Sequence, residues 1–178
     1  VRVVHLCDKV PAKAEKLAKE YGIGKVSQVY KELLADPEVD AVSICTDHAS
    51  HSQIAVDALN AGKHVICEKS LASSKEKLDA MLEAARRHPG LVFSGVFQHR
   101  FDLGYNYVRK IIADGVFGRM LTANLNVLCL RTNEYYNADA WRGTWAEEGG
   151  AVLINQSIHF IDMISWLMGG VESVAACY

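Results

Sequence analysis

The chain has no G-x-G-x-x-G loop. Gly22-Ile23-Gly24 comes nearest, but it lacks the third glycine and a strand before it, so no ready phosphate cradle of that kind is present. No apolar stretch approaches the ~18 residues that a spanning helix needs. No long run of one charge occurs, and 19 basic against 21 acidic residues give a formal net charge of −2. That balance argues against nucleic acid or an anionic membrane as a partner. The five cysteines (Cys7, Cys45, Cys67, Cys129 and Cys177) contain no C-x-x-C pair. Nor do they cluster with the other ligands that a zinc site needs, so no metal is expected. They lie in or at the end of apolar, strand-like runs and read as buried reduced thiols. No signal-peptide pattern opens the sequence, and a cytoplasmic location is expected.

Half of the 178 residues are hydrophobic, and their spacing is regular. Val1 to Cys7 reads as a strand ending at Asp8. Pro11 opens an amphipathic helix over Ala12 to Tyr21, stopped by Gly22. Val26 marks a short strand. Val29, Tyr30, Leu33 and Leu34 have helical spacing. Ala41 to Cys45 is a strand, Ser50 to Ala61 a helix, Val65 to Cys67 a strand. A helix around Leu78, Met81, Leu82 and Ala85 and a strand over Leu91 to Phe97 follow. Such alternation predicts an α/β fold with a parallel sheet. It breaks after about Gln98. A helix through Tyr105 to Ile112 follows, then an alternating strand over Met120 to Leu130, a polar loop, a helix over Val152 to Leu167 and a strand over Val171 to Tyr178. The reading is two parts, 1–98 and 99–178, the second an α+β domain with an open sheet.

Val1 to Asp8 is similar to the second strand of a dinucleotide-binding sheet, not its first. In the strand order 3-2-1-4-5-6 the first strand is central, so the expected Rossmann-type sheet is incomplete, with its first strand and glycine-rich loop absent. The whole reads as an internal piece of a longer protein.

Ligands in such sheets sit beyond the carboxyl ends of the strands, and several polar groups fall there. Asp8 is placed to bind ribose hydroxyls, or to cap the helix opened by Pro11. Thr46-Asp47-His48-Ala49-Ser50-His51 follows the strand Ala41 to Cys45; Thr46, His48 and His51 are candidate cofactor contacts, the alternative being capping and loop hydrogen bonds. Glu68 and Lys69 end the buried strand Val65 to Cys67, a costly place for charge unless it is used. Asn155, His159 and Asp162 have i, i+4, i+7 spacing on an apolar helix and are expected to share one face. Histidine titrates near neutral pH, and Asp162 is placed to orient it.

Cys67-Glu68-Lys69-Ser70 resembles the E-K-P motif of the glucose–fructose oxidoreductase / inositol dehydrogenase / rhizopine catabolism (Gfo/Idh/MocA) family. Ala41 to Thr46 with His51, Ala61 to Val65, and Gly149-Gly150 through Asn155, His159 and Asp162 agree with it in order and spacing. Trp141 to Trp145 is similar to a segment of sugar-oxidising members. The resemblance implies an NAD(P)-dependent oxidoreductase, with a Rossmann domain and a second domain whose sheet is mostly antiparallel. It implies Lys69 beside substrate and nicotinamide, and His159 as the catalytic histidine. NAD is favoured over NADP by the carboxylate of Asp8. A sugar, polyol or nucleotide sugar is the implied substrate, contacted by Lys69, Asn155 and His159; Arg142, Tyr135 and Tyr136 are expected near its polar parts, the alternative being solvated loop residues. A homo-oligomer, dimer or tetramer, is implied as well. Ser70 stands where the motif has proline, and Asn155 where inositol dehydrogenase-like members have aspartate. A cofactor-binding protein without turnover and an NAD-dependent glycoside hydrolase are the alternatives.

Overall fold

The computed structural model describes residues 1–150 and 152–177. They divide into two compact units, 1–95 and 96–178. In the first, strands and helices alternate: β1 (His5–Cys7), α1 (Pro11–Tyr21), β2 (Lys25–Ser27), α2 (Tyr30–Ala35), β3 (Ala41–Ile44), α3 (His48–Asn60), β4 (His64–Cys67), α4 (Lys75–Arg87) and β5 (Phe93–Gly95). All strand pairings among the described residues are parallel. β1 pairs with β2, and β3, β4 and β5 form a second sheet in that order.

Local chemistry sets these boundaries. Pro11 supplies a preset φ at the start of α1, and Gly22 ends it at φ 68, in the left-handed region that glycine enters without penalty,. Asp47 caps α3 by accepting from the Ser50 N–H at 2.9 Å, and Ser74 caps α4,. Leu59, Met81, Val65 and Cys67 form the middle of a core between the sheet β3–β4–β5 and the helices α3 and α4. Ser52 Oγ donates to the Lys77 carbonyl and ties these two helices together.

A polar network closes the edge of β1 and β2. Asp36 accepts from Lys25 Nζ at 2.8 Å, and its carboxylate also meets His5 Nδ1 at 3.1 Å. The Lys25 ammonium, the Glu38 N–H and His5 together hold the Asp36 carboxyl well below its ordinary value, against the opposing effect of burial. The folded state therefore binds this proton less readily than the unfolded chain, whose aspartates titrate near ~3.9. Its contribution is present above that pH and is lost as pH falls below it. The melting temperature is expected to drop below about pH 4. Asp36→Asn should flatten that part of the pH–melting curve, and an unchanged slope would remove Asp36 from the explanation.

The second unit contains a 3-10 turn (Gln98–Phe101), α5 (Leu103–Ala113), α6 (Asn133–Asn137), a π-helical turn (Val152–Gln156) and α7 (Ile158–Met168). Three expectations are corrected here. Residues 120–130 and 171–177 form no strand among the described residues; Tyr178 lies outside them. Alternation supplies a face but not a ladder, and neither segment has a strand to pair with. Leu121 and Leu128 are 79% and 96% exposed. The expected antiparallel sheet is accordingly not formed among the described residues. The helix predicted from Val152 is broken: the Ser157 N–H bonds the Val152 carbonyl at 2.7 Å, an i→i+5 step, before α7 begins,. Finally, the cysteines are free, but only Cys67 is buried; Cys7 is half-buried, and Cys45, Cys129 and Cys177 are exposed. Burial pushes the Cys67 thiol up to about 12.

Candidate active site

Three polar segments follow the carboxyl ends of β1, β3 and β4. Asp8 comes directly after β1. Its Oδ1 accepts from the Val10 N–H at 2.8 Å, which sets the turn into α1; the cap position itself belongs to Val10. Thr46 is exposed after β3 and its hydroxyl donates to the Asp47 carbonyl. Burial raises the Asp47 carboxyl, but the Ser50 hydroxyl, the Ser50 N–H and nearby Lys9 outweigh it and hold it low.

His48 and His51, expected as cofactor contacts, lie in the first turn of α3 and just beyond it. The Asp47 cap starts α3 in a direction that turns both rings inward, leaving them 2% and 0% exposed. His51 Nδ1 lies 2.7 Å from the Ser70 carbonyl and its Nε2 3.0 Å from the Thr46 carbonyl. His51 thus lies between the segments after β4 and β3, and its neutral ring donates to one of the two carbonyls,. Its sequence signal is its place one turn inside a capped helix, which favours an inward strut.

That strut borders Lys69. The Glu68 N–H continues the ladder by donating to the Ile44 carbonyl at 2.9 Å. Glu68 Oε2 accepts from the Lys69 N–H at 3.3 Å. The Lys69–Ser70 peptide is cis, and Ser70 is buried. Lys69 thus leaves the sheet between two anchored neighbours. An open hollow of about 680 Å³ lies elsewhere in this unit, lined by Val3, Leu17, Tyr21 and neighbours. It includes none of the candidate site residues.

In the second unit the π-helical turn separates residues expected on one face. Asn155 is buried, and its Nδ2 donates to the Tyr135 hydroxyl at 3.2 Å and to Glu148 Oε1. His159 instead meets the segment 97–99. Gln98 Nε2 lies 3.5 Å from His159 Nε2, a pairing in which the amide donates,. The His99 ring stands edge-on to it at 5.7 Å. Asp162 does not take the orienting role: both its oxygens accept from Arg100, at 2.8 and 2.6 Å. This bidentate pair fixes α7, and with it His159, to the 98–101 turn.

Arg142 is half-buried, pairs with Asp139 at 2.9 Å and lies over the Tyr135 ring at 4.3 Å. Arg131 lies over the same ring at 5.2 Å. Glu148, which the sequence does not single out, is 1% exposed. Its polar neighbours in the chain make it look like a solvated loop residue.

Residues 1–96 match the oxidoreductase family, NAD-binding Rossmann fold, and residues 105–178 the GFO/IDH/MocA C-terminal domain. Inositol 2-dehydrogenase of Salmonella typhimurium is 32% identical over 94% of this chain and 47% of its own length. Levoglucosan dehydrogenase of Pseudarthrobacter phenanthrenivorans is 30% identical over 93% of this chain and 42% of its own. The crystal structure of the WlbA dehydrogenase from Bordetella pertussis, in complex with NADH and UDP-GlcNAcA, superposes with a TM-score of 0.88 at 32% identity. That similarity covers 94% of this chain and 51% of the WlbA chain. The chain spans about half the length of these relatives. With a family match to the Rossmann fold over more than half of its residues, the chain belongs to the GFO/IDH/MocA oxidoreductase family.

Proposed function

We propose that the protein oxidises a secondary alcohol of a sugar, polyol or nucleotide sugar, with NAD as acceptor. The observation that carries this reading is Lys69, set at the carboxyl end of β4 between anchored Glu68 and Ser70. Ligands of doubly wound sheets gather at that edge. The residues there fit a dinucleotide: Asp8 offers a carboxylate after β1, where ribose hydroxyls are received, and Thr46 and Glu68 follow β3 and β4. When bound, the nicotinamide supplies the hydride-accepting ring. Lys69 hydrogen-bonds the alcohol oxygen and stabilises the negative charge that grows on it. His159 receives the hydroxyl proton. Arg142, Tyr135 and Tyr136 hold the sugar, and Asn155 acts on it through the Tyr135 hydroxyl. Assembly into a dimer or tetramer and a cytoplasmic location belong to the same reading.

The relatives named above support this substrate class: inositol and levoglucosan dehydrogenases, and WlbA with a nucleotide sugar. The test is to supply the intact protein with NAD and a panel of polyols, sugars and nucleotide sugars, and to follow NADH absorbance. Free sugar released from glycosides without net NADH would move the reading to NAD-dependent hydrolysis. The cofactor choice has its own test. Asp8 repels the extra phosphate of NADP, so NAD is expected to bind about tenfold more tightly. Asp8→Ala should narrow that ratio in a fluorescence titration. An unchanged ratio would remove Asp8 from the cofactor site.

A further inference from the structure

Tyr135 sits at the end of a one-way chain of hydrogen bonds. Its hydroxyl oxygen accepts from Asn155 Nδ2 at 3.2 Å and from Gln156 Nε2 at 3.0 Å. A hydroxyl oxygen has two lone pairs, and these two amides take both. The phenolic proton is then directed away from the amides. The polarity is set further back. Glu148 is fully buried, and a carboxylate only accepts,. Its Oε2 accepts from the Gly143 N–H at 2.6 Å, and its Oε1 accepts from Asn155. That contact determines which end of the Asn155 amide faces Glu148, and Nδ2 reaches Tyr135 as well. Gly143 is itself constrained. Its φ is 73, and a Cβ there would lie 3.1 Å from the Tyr136 ring. Arg131 and Arg142 over the Tyr135 ring fix its plane,.

We propose that Tyr135 is a specificity residue that donates its proton to an acceptor-only oxygen of the substrate, a ring, glycosidic or carboxylate oxygen, and that Glu148 is the positioning residue that sets this direction through Asn155. The proposal rests on the reading that the 131–156 segment meets a sugar-like substrate. It goes beyond that reading by assigning the chemical character of one substrate atom.

The chain can be reversed without emptying it. In the double variant Glu148→Gln/Asn155→Asp, the amide introduced in place of Glu148 keeps an acceptor for the Gly143 N–H. Its NH₂ group donates to the carboxylate introduced in place of Asn155. That carboxylate then accepts from the Tyr135 hydroxyl, which turns its proton inward. Asn155→Asp alone sets two acceptors against each other, and its melting temperature is expected to fall by about 5 °C. Adding Glu148→Gln should restore most of that fall. Failure of the double variant to recover overturns the chain, and this readout needs no turnover. It therefore stands apart from any failure of the proposed activity.

In the active intact protein, Tyr135→Phe and the double variant should each raise the sugar KM about tenfold while kcat changes much less. Combining all three substitutions should raise it no further, because both routes remove the same donor. An unchanged KM in either, or multiplying effects in the combination, overturns the assignment of Tyr135.

Discussion

Lys69→Ala in the intact protein is expected to lower kcat for sugar oxidation by about 10²–10³-fold, the usual loss when one donor to a developing oxyanion is removed. The loss belongs in kcat because the alcohol oxygen carries most negative charge in the transition state. Lys69 is well placed for so specific an effect. Its neighbour Glu68 is held to β3 by a backbone bond of 2.9 Å, and Ser70 is held to α3 by His51 at 2.7 Å. Removing the side chain leaves these bonds in place, so NAD affinity and melting temperature should stay close to the parent values. Stopped-flow measurement of NADH formation, beside a titration of NAD, separates the two quantities. A parallel collapse of NAD binding would make Lys69 a cofactor anchor instead.

His159→Ala is expected to cost about 10²–10⁴-fold, the range for a general base. The Gln98 amide at 3.5 Å donates toward Nε2, which favours the ring form in which that nitrogen carries a lone pair and can take a proton. Arg100 and Asp162 hold α7 to the 98–101 turn at 2.6 and 2.8 Å, one turn beyond the histidine. The parent rate should rise with pH as the base loses its proton, and the variant should lose that rise. A variant that keeps the pH profile at a reduced rate would place the base elsewhere.

Much of the first unit was legible because its signals are local. Pro11 and Gly22 bound α1, and Asp47 caps α3. The strand residues Val42, Ile44, Val65 and Cys67 are buried, but Ala41, Ser43 and Ile66 between them are exposed, so the sheet is covered on one face and not on both as the apolar runs suggested,. Glu68 and Lys69 stood out because charge ends an apolar strand, of which Val65 and Cys67 are the buried residues.

Other features depend on partners that a linear pattern does not name. His51 reads as a cofactor contact at the start of a helix, and only the fold shows its ring buried between the Ser70 and Thr46 carbonyls. Asn155 and His159 have helical spacing, but the i→i+5 step at Ser157 rotates them apart. Leu121 and Leu125 alternate like a strand and find no ladder. Glu148 lies among polar residues and is nonetheless buried, because the Gly143 N–H and the Asn155 amide reach its two oxygens.

On the proposed function, Lys69 marks the place where a sugar alcohol is oxidised by NAD. The most direct measurement is NADH absorbance from the intact protein and its Lys69→Ala variant, each given NAD and the panel of polyols, sugars and nucleotide sugars. NADH is expected from at least one substrate with the parent protein, and at a rate lower by about 10²–10³-fold with the variant. Equal rates from the two proteins, or no NADH from any substrate although NAD binds, would contradict it.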